Sequence, residues 1–168
     1  DYRAHYGELG DVNVLVRGIE SGSERHSRGI GRRGGVVLEL PRKATTDKHT
    51  LLMAHEAFHL WNGHLLTPEP ASEPETRWFK EGVTHYVALK TLHRLGMLDR
   101  DAVLAELERS ARYYARNPAA KGQRSTDTDR ARLPYDRGVL LALGLDALLQ
   151  RETGGEVSLR DWLVTCME

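Results

Sequence analysis

The stretch His55-Glu56-Ala57-Phe58-His59 decides how the rest of the chain is interpreted. On an α-helix, residues four apart lie on one face about one turn apart, so His55 and His59 can converge on one metal ion. Two neutral imidazoles at this spacing, with the Glu56 carboxylate beside the first, suit a zinc ion and a water that Glu56 deprotonates. Apolar flanking residues and a stop at Asn62-Gly63 predict the helix itself.

A third zinc ligand is predicted at Glu81, in the segment Trp78-Phe79-Lys80-Glu81-Gly82. This segment follows a polar loop and begins a second apolar helix, which can pack against the first helix and aim one carboxylate at the metal. The alternative for Glu81 is a surface glutamate paired with Lys80 or Arg77. The alternative for the two histidines is a pair on a partly buried helix, hydrogen-bonded to backbone or carboxylates.

These segments resemble the catalytic domain of the M61 glycyl aminopeptidase family. The resemblance rests on His55 to Asn62, on Trp78 to Thr84, and on Pro134-Tyr135-Asp136-Arg137-Gly138. It covers roughly residues 50–165, and the N-terminal part of the chain matches poorly. The family belongs to the gluzincin metallopeptidases, together with the M1 aminopeptidases and thermolysin.

The resemblance implies a zinc-dependent peptidase with one zinc ion per chain. Zinc would be held by His55, His59 and Glu81, and Glu56 would be the general base. Tyr135 would donate a hydrogen bond to the oxyanion of the tetrahedral intermediate. Packing is the alternative role for this tyrosine. Peptides or proteins are the implied substrates, and aminopeptidase activity is one form that the hydrolysis can take.

Two positions depart from the resembling enzymes. His85 stands where many gluzincins carry an acidic residue that accepts the ring proton of a zinc-binding histidine. A neutral histidine has no charge with which to raise the basicity of that ligand, and packing beside Trp78 is its alternative role. Glu39 is a candidate anchor for a substrate amine, but the surrounding stretch, residues 34–40, differs in spacing from the family pattern. These departures keep a second hypothesis open, a catalytically inactive zinc-binding interaction module of a larger protein.

Composition limits the other classes of function. The chain has 168 residues, of which 40% are hydrophobic and 29% charged, as in an ordinary globular domain. Its 24 basic and 24 acidic residues balance, so no overall field favours nucleic acid, and no apolar run is long enough to span a membrane. The single Cys166 forms no internal disulfide. Because the first residue is Asp1, we expect a longer full-length chain with further domains, and an extracytoplasmic location is slightly favoured over others.

The order of predicted elements indicates an α+β fold with a small sheet and a mainly helical lobe. The resemblance implies that this fold is a thermolysin-like zincin domain. We expect one domain over residues 1–168, with a β-rich cleft edge in 1–45 and the zinc site in 46–168. Strands are predicted at 11–18 and 35–40, and helices at 46–61, 75–95, 99–116, 135–150 and from Ser158. The resemblance implies that the second strand lies at the edge of the substrate cleft. Loops are predicted at 21–35, 64–74 and 117–133. The arginines of the first loop offer a nucleic-acid contact as the alternative to a solvated loop.

Overall fold

Three strands form a mixed sheet in the N-terminal part of the chain. The computed structural model describes residues 2–7, 9–20, 27–32, 34–42, 46–63, 66 and 76–167. The strands are β1 (Asn13–Ile19), β2 (Arg28–Arg32) and β3 (Gly35–Pro41), arranged in the order β1-β3-β2. β3 is parallel to β1 and antiparallel to β2. β2 therefore has one edge that no other described strand covers.

The sheet corrects two sequence predictions. Residues 28–32 form β2, although 21–35 was predicted to be a loop, because a run of glycine and arginine gives no apolar alternation. The strand predicted at 35–40 exists, but it lies in the middle of the sheet rather than at its edge. Residues 21–26 and 33, which include Arg25 and Arg33, lie outside the described residues.

The helices follow the predicted order with changed boundaries. They are α1 (Tyr2–Tyr6), α2 (Thr46–Phe58), α3 (Thr84–Arg94), α4 (Arg100–Arg116), α5 (Asp127–Glu152) and α6 (Leu159–Thr165). A π-helix, Trp78–Val83, leads directly into α3, and a 3₁₀ helix, Pro118–Lys121, follows α4. The mixture of helices with a small sheet confirms the α+β class.

Capping residues explain where three of the helices begin. The Asp99 side chain accepts the Ala102 N–H at 2.7 Å and starts α4. Thr126 and Ser158 each form a capping box with the aspartate three residues later, at α5 and α6. The prediction of a loop at 117–133 was therefore wrong in its second half, since α5 begins before Pro134 and continues through it.

The described chain divides into two compact units. The first contains residues 1–67 and 88–98, and the second contains 68–87 and 99–168. In the first unit, Val36 and Leu38 of β3 are buried on one face of the sheet, and Phe58 and Trp61 at the end of α2 are buried as well. The aromatic rings of α1 pack onto this end of α2, with Tyr6 and Phe58 centroids 5.0 Å apart. α1 was not predicted, because a helix of five residues has too few positions to show a period.

The second unit is built around the crossing of the π-helix with α5. Its buried core contains Val83, Tyr86, Val139 and Leu163. A buried aspartate, Asp146 of α5, accepts hydrogen bonds from the Tyr86 hydroxyl at 2.6 Å and from the Leu159 N–H at 2.8 Å. One carboxylate thus joins α5 to α3 and to the first turn of α6.

Candidate metal-binding and catalytic residues

The two histidines of the motif meet at the C-terminal end of α2. Their Nε2 atoms lie 3.1 Å apart, and the rings are nearly perpendicular at 86°. The His59 N–H still bonds to the His55 carbonyl at 3.3 Å, which keeps the spacing of one helical turn just past the last residue of α2. Nitrogens about 2.0–2.1 Å from a tetrahedral zinc ion lie about 3.3 Å from each other, so this pair fits one zinc ion.

A backbone carbonyl favours the tautomer of His59 that a metal ligand needs. The Nδ1 atom of His59 lies 3.4 Å from the carbonyl oxygen of Asn62. Asn62 is a fully buried residue. A proton on Nδ1 can be donated to that oxygen, and the lone pair of Nε2 then faces the Nε2 atom of His55. This arrangement supports metal binding rather than a histidine pair that serves packing alone.

The Glu56 carboxylate lies against the edge strand β2. The Gly31 N–H donates to Oε2 of Glu56 at 2.8 Å, and only 7% of Glu56 is exposed. A Cβ atom at Gly29 would lie 2.5 Å from the carboxyl carbon of Glu56. Sequence reasoning missed both glycines, although their alternate spacing in Gly29-Ile30-Gly31 places them on one face of a strand.

Glu81 lies in the π-helix of the second unit and is half-buried. The prediction of a regular α-helix over 75–95 was wrong here, because residues 78–83 are wound more loosely than an α-turn. Such π-turns are rare and occur often at functional sites, where the extra residue changes the direction of the side chains. Residues 64–65 and 67–75, most of the loop predicted before this segment, lie outside the described residues.

Two glycines allow the π-helix and α5 to approach closely. A Cβ atom at Gly82 would lie 2.7 Å from the backbone nitrogen of Val139, and one at Gly138 would lie 2.7 Å from the Cα atom of Gly82. Gly82 follows Glu81 directly, and Gly138 follows Tyr135 by one turn. The crossing therefore sets how the backbone that carries Glu81 lies against the backbone that carries Tyr135.

His85 has an acidic neighbour in the same unit. Its Nε2 atom lies 3.9 Å from Oε2 of Glu106 on α4, and its side chain is 18% exposed. Glu106 also accepts the Nε–H of Arg109 at 2.9 Å. The sequence did not point to Glu106, because contact between α3 and α4 cannot be read from spacing within one helix.

Tyr135 is half-buried on α5, and its neighbours differ in exposure. Arg137 is exposed, whereas Asp136 is 2% exposed and lies 3.0 Å from the Nε atom of Arg132. Burial raises the pKa of the Asp136 carboxyl above its ordinary value, and the charges of Arg132 and Arg109 oppose that shift. Nothing in these contacts assigns a role to Tyr135, which stays a prediction.

Glu39 lies apart from the histidines. It is on the middle strand, and its Oε1 atom pairs with Arg17 of β1 at 3.4 Å. Val36 and Leu38, on the other face of β3, are buried, while Val37 on the face of Glu39 is 41% exposed. Gly29 and Gly31 pair with Leu38 and Val36, so α2 covers that opposite face. The structure therefore does not bring Glu39 together with Glu56, and it gives the proposed amine anchor no support.

A comparison with known families identifies the class of protein. A model of the M61 glycyl aminopeptidases matches residues 48–138, which is more than half of the chain. The match places the chain among the peptidases. Within that class, it belongs to the M61 glycyl aminopeptidase family, as the resemblance of its motifs predicted.

A solved structure shows the same fold. The chain is similar to the crystal structure of an aminopeptidase N family protein from Idiomarina loihiensis, with a TM-score of 0.69 and 20% sequence identity. The match covers 92% of this chain but 32% of that one, so the chain spans about a third of the length of this relative. No curated protein matches the chain significantly. None of the helices that the structure describes has the length and apolar character that a membrane crossing requires.

Proposed function

We propose that this chain contains the catalytic site of a zinc-dependent peptidase. The observation that carries the proposal is the pair of histidine Nε2 atoms 3.1 Å apart on α2 in a member of a peptidase family. We propose His55 and His59 as two of the ligands, and Glu81, which lies within the segment that matches the family, as the third. Two imidazoles and one carboxylate are the ligand set of many catalytic zinc sites.

The proposed roles follow from the chemistry of the side chains. Zinc, when bound, polarises a carbonyl and lowers the pKa of a coordinated water to about 7. Glu56 accepts the proton of the attacking water on one carboxylate oxygen and returns it to the leaving amine. The hydroxyl of Tyr135 donates a hydrogen bond to the oxyanion that forms on the former carbonyl.

Family membership and the shared fold support two finer parts of the proposal. The fold is a thermolysin-like zincin domain, and the substrate is a peptide with a free amino terminus. The second part needs a group that recognises the amine, and Glu39 lies on the wrong face of the sheet for that role. Release of arylamine from glycyl and alanyl arylamides, compared with their N-acetylated forms, tests the need for the free amine. Equal rates on both forms would contradict aminopeptidase specificity and leave the peptidase proposal standing.

The metal content of the purified protein tests the zinc assignment. We expect about one zinc ion per chain in protein purified without chelator, measured by mass spectrometry of the metal. His59→Ala should lose that zinc, because two remaining protein ligands rarely hold it. His93→Ala is the matched control, since His93 is exposed on α3 and its Nδ1 atom lies 3.0 Å from the Leu98 carbonyl oxygen, to which it can donate. Full zinc retention by His59→Ala would contradict the assignment.

The second candidate is a zinc-binding module without catalytic activity. The observation that favours it is His85, which replaces the acidic residue usual at that position. This candidate predicts stoichiometric zinc together with no hydrolysis of any peptide by the parent protein. Zinc content and turnover measured on one preparation separate the two candidates.

A further inference from the structure

We propose that the edge strand β2 positions the general base, with Gly31 as the backbone donor and Gly29 as the residue that leaves room for the carboxylate. The role of Glu56 as the general base rests on the proposed function. Every other part of the proposal rests on contacts within the first unit. The proposal assigns a role to residues 28–32, whose composition had predicted only part of a basic, solvated loop.

The Gly31 N–H points away from β3 and toward Glu56. β2 pairs with β3 on one side, and no described strand covers its other side. The N–H groups of neighbouring residues in a strand point to opposite sides, so those of Ile30 and Gly31 diverge. The Gly31 N–H donates to Oε2 of Glu56 at 2.8 Å, which shows that it points to the open edge. A buried side chain thus satisfies a backbone donor that the sheet leaves unpaired.

Gly29 and Gly31 leave space for different atoms near the end of α2. A Cβ atom at Gly29 would lie 2.5 Å from both Cδ and Oε1 of Glu56. A Cβ atom at Gly31 would instead lie 2.8 Å from the Cβ of His59 and would also overlap the Glu56 carbonyl. Gly29 is therefore in contact with the carboxylate itself, whereas Gly31 lies against the turn that carries the second histidine.

The contact with Gly31 determines which carboxylate oxygen of Glu56 is available for the chemistry. Oε2 is held by the Gly31 N–H, which leaves Oε1 for a proton transfer. With Glu56 7% exposed, the carboxylate is kept in one place by a backbone donor and by the surface of the strand. A displacement of about 1 Å in a reacting group can cost about 100-fold in rate, so this restriction matters to turnover. Gly29 and Gly31 are positioning residues, because they act through Glu56.

Gly29→Ala tests the steric part of the proposal. We expect kcat to fall about 10- to 100-fold with KM and zinc content little changed, since the new methyl group displaces only the base. Gly18→Ala is the matched control, because it is also a strand glycine and its Cβ would meet only the Arg42 side chain, at 3.9 Å. A Gly29→Ala protein that folds, binds zinc and keeps kcat within twofold of the parent would overturn the proposal.

Amide hydrogen exchange tests the donor without requiring activity. In Glu56→Ala, the Gly31 amide should exchange about 10-fold faster or more than in the parent, because its acceptor is gone. The Ile30 amide, which points toward β3, should exchange at an unchanged rate. Unchanged exchange at Gly31 would overturn the proposal even if Gly29→Ala fails to fold. An inactive parent with fast Gly31 exchange in Glu56→Ala would remove the peptidase function and keep the positioning contact.

Discussion

Backbone groups orient two of the key side chains in the first unit. The Asn62 carbonyl lies beside Nδ1 of His59, and the Gly31 N–H donates to Glu56. Neither group is lost when a neighbouring side chain changes, so a substitution can disturb the site mainly by adding bulk or by removing the functional group itself.

The hydroxyl of Tyr135 is the functional group whose role is tested most simply. In Tyr135→Phe we expect kcat to fall about 100-fold with KM little altered, because the hydroxyl is needed mainly once the oxyanion forms. Steady-state kinetics on one arylamide substrate gives both constants. Tyr113→Phe is a suitable control, since Tyr113 lies on α4 under the Arg132 guanidinium. A rise in KM at constant kcat would assign Tyr135 to substrate binding instead.

Glu106 is a negatively charged neighbour of His85 that the sequence alone does not show. A carboxylate 3.9 Å from Nε2 favours the proton on that nitrogen, which leaves Nδ1 of the neutral ring able to accept a hydrogen bond from another donor. If His85 supports a zinc ligand, Glu106→Gln should weaken zinc affinity by up to about 10-fold, the lower end for outer partners of a metal site. Chelator competition measures this, and Glu108→Gln, which removes an exposed carboxylate from the same helix, is the matched control. Equal zinc affinities in the two variants would assign His85 to packing.

At the scale of elements, the second unit depends on a close crossing between the π-helix and α5. Gly82 and Gly138 meet there without side chains, and their backbones pass at a distance that no Cβ atom allows. The glycine after Glu81 is therefore explained by packing, independently of any role in catalysis. The crossing also fixes the turn of α5 that begins with Tyr135.

A pair of substitutions in α5 separates packing from helix propensity. Gly138→Ala should lower the free energy of unfolding by about 1–3 kcal/mol, because the methyl group forces the two elements apart. Gly144→Ala, where a Cβ atom would meet nothing within 4 Å, should raise that free energy by about 0.4–1 kcal/mol. Urea denaturation of both variants gives the comparison. A stabilised Gly138→Ala protein would contradict the close crossing.

At the scale of the whole molecule, sequence patterns predicted which helices and strands form better than they predicted which of them pack together. The spacing of His55 and His59 on a helix was enough to predict the meeting of their rings, because both lie on one element. The starts of α4 and α6 were also predicted, since their capping residues, Asp99 and Ser158, are local features. α5 begins earlier than the predicted residue 135, because Thr126 and Asp129 form a capping box within the stretch 117–133, whose polar composition had indicated a loop.

Features that depend on tertiary contact could not be predicted. β2 lacks the apolar alternation of a strand, because two of its five residues are glycines that lie against Glu56 and His59. Alternation along the predicted strand places Val37 and Glu39 on one face, but it does not show that α2 covers the other face. The π-helix at Glu81 escaped prediction for a different reason, since its wider turn hardly changes an apolar period over six residues.

Turnover by Glu56→Gln at full zinc occupancy tests the central claim most directly. The carboxamide keeps the size of the side chain and an oxygen that can accept the Gly31 N–H, but it cannot take a proton from water. We expect the variant to fold, to hold about one zinc ion per chain, and to hydrolyse peptide at least about 100-fold more slowly than the parent. Turnover within about tenfold of the parent, with zinc bound, would contradict the assignment of Glu56 as the base.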